Sequence, residues 1–243
     1  MITHLVILSS SYSEGTRICI DVIGGASADD VVAKIIKECG KDVSLSLHLI
    51  QANSSDWDAV LVSNSFFADV KKIDNVDDFI KVIKKDRTLS ALDVTKYIIS
   101  AHKCTHLKLQ KLLYLCYADY LCNHNKQLFV NERICALPHG PVISSICDRY
   151  AGSKDTIKEN VDMPNNRYLF LPARSRIIFA EEGDVKINSI DKTLQNYALM
   201  SEKDLVNLTH TINSPWYVTR GKEDKWGIIS DECIIKYHKN ECC

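Results

Sequence analysis

His106-Leu107-Lys108-Leu109-Gln110-Lys111-Leu112-Leu113-Tyr114-Leu115-Cys116-Tyr117-Ala118-Asp119-Tyr120-Leu121-Cys122 decides the fold of the larger part of this chain. Leu109, Leu112, Leu113, Cys116 and Tyr120 recur at helical spacing and form one apolar stripe. Leu107, Tyr114, Leu115, Ala118 and Leu121 form a second stripe on nearly the opposite side. A helix apolar on two sides is buried on two sides, so His106–Cys122 reads as the central helix of its domain, with Thr105 as its cap.

The neighbouring sequence is mostly helical as well. Ser90-Ala91-Leu92-Asp93 is a capping box that opens a helix to about His102, with Val94, Ile98 and Ala101 inward. Downstream, Gly140-Pro141 reads as the start of a helix whose inner face is Val142, Ile143, Ile146, Cys147 and Tyr150. Tyr168–Leu171 and Arg176–Phe179 read as a short strand pair. Helices are expected at Ile190–Met200, at Ser201–His210 with Ser201 and Asp204 as caps, and at Ser230–His238.

Before residue 87 the pattern changes. Thr3–Leu8, Arg17–Ile23, Val43–Ile50, Ala59–Val62 and Phe66–Ile73 read as strands, and Asp29–Cys39 and Asp77–Lys84 as helices. The fold class is therefore α+β: a small N-terminal α/β-type module over residues 1–86, then a mainly helical domain over residues 87–243 with a short strand pair. Gly24-Gly25 falls between a strand and a helix, but it lacks the full spacing of a phosphate-binding loop and reads as a plain turn.

Composition narrows the function classes. Apolar residues make up 46% and charged residues 25%, and 30 basic residues against 31 acidic ones give a formal net charge of -1. Such a balance draws the chain neither to nucleic acid nor to an anionic membrane. No apolar run approaches the roughly 20 residues of a membrane span, and Met1–Leu8 reads as a strand rather than a signal peptide. The ten cysteines sit mostly in apolar segments without a Cys-x-x-Cys, and the Cys242-Cys243 pair makes no zinc knuckle. They are expected to be reduced and structural, in a cytoplasmic protein without metal or other cofactor.

Three segments together, His106–Tyr114, Ala136-Leu137-Pro138-His139-Gly140-Pro141-Val142, and Leu208-Thr209-His210 with Ser214-Pro215-Trp216, resemble the Panacea domain of phage-associated proteins and antitoxins. The resemblance covers residues 88–240 approximately. It implies a cytosolic protein that neutralises a cognate protein toxin by direct contact. It also carries an alternative, a proteolysis adaptor that delivers the bound toxin to a Clp-type ATP-dependent protease.

The partner-binding residues expected from these segments are Lys111, Tyr114, His139, Gly140, Pro141, His210, Pro215 and Trp216. Lys111 lies on an apolar stripe; either its stem packs while the ammonium reaches water, or its charge meets a carboxylate in the fold or on the toxin. Gly140-Pro141 is a turn device and a rigid rim for a docked partner. His210 caps a helix end, where a cation is favoured, and Trp216 packs or serves as an exposed hot spot. An enzyme reading would rest on Cys104, His106, His139 and His210, and nothing in the sequence assembles a nucleophile with a base and an orienting group, so no catalysis is expected. A helix-turn-helix around Lys103–Thr105 is disfavoured, because a recognition helix needs a free polar face.

Overall fold

A computed structural model describes residues 1–23, 28–151, 157, 167–220 and 227–241. The Gly24-Gly25 turn and the Cys242-Cys243 end lie outside the described residues. The chain forms two compact units, Met1–Thr88 with Phe179–Glu181, and Leu89–Ile178 with Glu182–Cys243.

The first unit runs β1 (Ile2–Ser11), β2 (Thr16–Ile23), α1 (Ala28–Cys39), β3 (Ser46–Ala52), α2 (Trp57–Ser63), β4 (Lys71–Lys72) and α3 (Val76–Arg87). The sheet order is β3-β1-β2-β4; β1 is antiparallel to both neighbours and β2 is parallel to β4. Alternation along the strands supplies two cores. Leu5, Ile7, Ile18, Ile20 and Val22 face α1 and α3, while Val6, Leu8 and Cys19 pack on the other side with Val60 of α2 and Phe67.

His4 is buried on that second side, with Nδ1 2.9 Å from a carboxylate oxygen of Asp21 and Nε2 2.9 Å from the Ser54 carbonyl. Burial pulls its pKa down, but the Ser54 carbonyl and the Asp21 carboxylate outweigh it and leave the pKa raised. Of the later segment, the Glu181 N–H donates to the Arg87 carbonyl at 2.9 Å. Phe179 lines a 230 Å³ cavity with Ser11, Tyr12, Ile83 and Arg87.

Two expected strands here are not strands. Ala59–Val62 lies inside α2, because Trp57, Val60 and Leu61 bury at helical spacing and leave Val62 exposed. In Phe66–Ile73, the Asn64 side chain accepts from Phe66 N at 2.9 Å and starts a 3-10 turn over Ser65–Phe67, so only Lys71–Lys72 pair as a strand. Val43–Ile50 is displaced to Ser46–Ala52, since Val43 is held in a turn by its bond to the Gly40 carbonyl.

The second unit contains α4 (Ala91–Ala101), α5 (His106–His124), β5 (Ile134–Leu137), β6 (Gly140–Ile143), α6 (Ser144–Arg149), α7 (Arg167–Ile178), α8 (Gly183–Tyr197), α9 (Glu202–Thr209), α10 (Pro215–Arg220) and α11 (Asp231–Tyr237). The chain is thus α+β. The double stripe does what its pattern dictates: every residue from Leu109 to Ala118 is buried, and α5 packs against α4, α8, α9, α11 and β6. The Ser90–Asp93 capping box and the Thr105 and Ser201 caps form as read.

The strand pair exists, but as the β5–β6 hairpin. Tyr168–Leu171 and Arg176–Phe179 are not strands: α7 continues through Pro172 to Ile178, fixed by Arg174 on Asp191 at 2.8 Å and Arg176 on Asp93 at 3.3 Å. A buried polar chain also crosses this unit. His238 lies 2.8 Å from Asp119 and 2.7 Å from Glu241, which accepts from the Tyr114 hydroxyl at 2.8 Å.

Among the described residues no helix is long and apolar enough to cross a membrane. The described cysteines are free thiols, and no group of three His, Cys, Asp or Glu side chains among those residues is placed to hold a metal ion.

Candidate functional site

The site is built where α5 meets the β5–β6 hairpin. Thr105 starts α5 by accepting from Lys108 N at 3.2 Å, and the helix then presents Gln110 and Lys111 to β6. Gln110 accepts the Ile143 N–H at 2.9 Å. Lys111 is fully buried and its Nζ donates to the Pro141 carbonyl at 2.9 Å. The ammonium does not reach the surface as a snorkelling lysine would, and among the described residues its hydrogen bond ends on a backbone carbonyl rather than a carboxylate. Burial is the main reason that its pKa falls to about 7.

These two clamps also explain why Gly140-Pro141 does not open a helix. They hold Gly140–Ile143 extended against β5, and α6 begins only at Ser144. Gly140 has φ +104, and a Cβ there would stand 2.8 Å from Lys111 Nζ and 3.0 Å from Thr209 Oγ1. Glycine is therefore required twice, by backbone angle and by space.

The third segment closes over the hairpin. Trp216 Nε1 donates to the Leu137 carbonyl at 2.7 Å, and Arg220 donates to the Ala136 carbonyl at 3.3 Å. Ser214 donates to the Thr209 carbonyl at 2.9 Å and accepts Tyr217 N, which sets the start of α10. The His210 ring stacks on Trp216 with centroids 3.7 Å apart. Burial, then the positive fields of Lys111, His139 and Arg220, push the His210 pKa down to about 4. His210 does end α9, through its backbone N–H, but its ring is neutral near pH 7 and is no cation on the helix dipole.

Seven of the eight expected residues thus come together: Lys111, His139, Gly140, Pro141, His210, Pro215 and Trp216. Tyr114 takes another partner, Glu241. Lys111, Gly140, Pro141 and Pro215 are buried and act as supports; His139 is exposed, and His210 and Trp216 are half-buried. Around them Ile212 and Tyr217 are 69% and 46% exposed, enough to give the rim an apolar character. Gln110, Thr209, Ser214 and Arg220 were not foreseen. Gln110, Thr209 and Ser214 did carry a signal, since all three stand inside the segments that resemble the Panacea domain, whereas Arg220 does not.

Residues 109–217 match the family model described as antitoxin SocA-like, Panacea domain. The match begins on α5 at Leu109 and ends at Tyr217, so the hairpin, its clamps and the His210–Trp216 stack all lie inside the matched segment. No curated protein and no solved structure matches the chain. Outside the Panacea segment, the Cys104 thiol is buried with its pKa pushed up to about 11, the reverse of what a nucleophile needs.

Proposed function

We propose that this chain is a cytoplasmic antitoxin that neutralises a cognate protein toxin by stoichiometric binding, without catalysis. The observation that carries the reading is the convergence of three separated segments, inside the Panacea match, on one clamped hairpin with a half-exposed aromatic rim. Buried side chains fix backbone carbonyls so that His139, His210, Trp216 and Tyr217 stand in a set arrangement. Preorganised aromatic anchors of this kind dominate the energy of protein interfaces. α5 has no part in reading DNA under this proposal, since the residues from Leu109 to Ala118 are all buried.

Expression of the adjacent reading frame alone should arrest growth, and co-expression of this chain should restore it. His139→Ala is expected to fold normally and to weaken toxin binding about thirtyfold, near 2 kcal/mol. Unchanged binding in both His139→Ala and Tyr217→Ala would remove this surface from the reading. Toxin levels that drop only when a Clp-type protease is present would convert sequestration into delivery.

A further inference from the structure

The two edges of the first unit's sheet differ in kind. β4 is two residues long and both are lysines, the usual protection against edge-to-edge pairing. β3, on the other edge, is seven residues long, and from Val43 through Ser55 there is no charged residue and no proline. Its register with β1 places Leu47 beside Ile7 and Leu49 beside Leu5, on the face covered by α1 and α3. That cover stops short of β3: Leu47 is 54% and Leu49 73% exposed, against 0% for Ile7.

We propose that β3 is a homodimer interface, in which two copies of this chain pair their β3 strands antiparallel about a two-fold axis at His48. The side chains select a second copy and that register. With His48 on the axis, Leu47 of each copy faces Leu49 of the other, and four leucines close a gap in the apolar face. His48 itself lies against Phe66 and Phe67, and its buried Nε2 has no hydrogen-bond partner among the described residues. Packed there, the ring belongs to the core of its own copy and leaves the register to be set by the leucine pairs. A neutral strand meets its copy without charge conflict, whereas nothing along it would recognise a charged partner.

Sedimentation velocity on the full chain tests this. At about 100 µM the wild type should sediment at twice the chain mass of 27.5 kDa. Leu49→Lys should be a folded monomer by circular dichroism, and Val62→Lys, at an exposed position of α2, should remain a dimer. The double variant Leu47→Glu with Leu49→Lys should dimerise again, because each new lysine faces a new glutamate. A monomeric wild type at that concentration, or a dimeric Leu49→Lys, would overturn the proposal. A double variant that stays monomeric would overturn the His48 register on which it stands.

Discussion

The first and second units handle polar groups in opposite ways. In the first, the cores on the two sides of the sheet are apolar, and most ion pairs lie in the open, as Lys34–Asp77, Lys81–Asp78 and Lys84–Glu38 do. His4–Asp21 is its buried exception. In the second, Lys111, Arg176, Lys186, His238 and Glu241 are all buried. Exposed pairs add little, because water screens them and the side chains lose freedom. Buried groups are costly unless satisfied, and they then specify one arrangement. The first unit is a scaffold held by area; the second is a shape held by directed bonds, and it contains the Panacea match.

That contrast can be broken most severely at Gly140. Gly140→Ala forces a Cβ against Lys111 at φ +104 and should lower stability by about 3 kcal/mol in urea unfolding. Hydrogen exchange should locate the loss in the β5–β6 hairpin. A loss under about 1 kcal/mol would mean that the clamp yields, and that directed bonds do not hold this region rigid.

A smaller effect is expected at Lys111 and depends on pH. Its folded pKa of about 7 lies below the ordinary 10.5. Between these values the unfolded chain carries a proton that the folded chain lacks, so stability rises as pH rises through the window and falls as pH returns toward 7. Lys111→Met removes this dependence. Relative to the variant, the wild type should gain about 2 kcal/mol between pH 7 and pH 9 in denaturant titrations. Parallel profiles would show a lysine that stays charged when folded.

The smallest effect is predicted in the first unit. Lys81→Ala deletes an exposed pair with Asp78, and its thermal midpoint should not move measurably. A clear shift there would erase the distinction between the two units.

What the sequence made legible follows the same division. α5 was readable because caps and apolar stripes are side-chain signals: Thr105 opens it, and the double stripe declares its burial. The Ser90–Asp93 and Ser201–Asp204 starts were readable for the same reason. Lys111 on Pro141, Trp216 on Leu137, Arg220 on Ala136 and His4 on Ser54 were not, because each ends on a backbone carbonyl. Every residue has a carbonyl, so the acceptor leaves no trace in the residue types. The mistaken helix start at Gly140 and the mistaken strands in α7 share this origin. In both, contacts with distant residues overrode a correct local preference. The strand read at Ala59–Val62 failed differently: four residues were too few to distinguish alternation from a helical repeat that also includes Trp57.

Phe179–Glu181 belongs to the first unit although it is embedded in the sequence of the second. Ribosomes add about 5–20 residues each second, so Glu181 emerges on the order of ten seconds after Arg87. For that interval the nascent first unit has its sheet and helices, but no Glu181 amide on the Arg87 carbonyl and no Phe179 in the cavity wall beside Tyr12. Its last piece is delivered only after α4, α5 and α7 have been synthesised. Completion of the N-terminal unit therefore waits on translation of most of the C-terminal one, and a ribosome stalled before Phe179 would hold a first unit that lacks this bond and this wall.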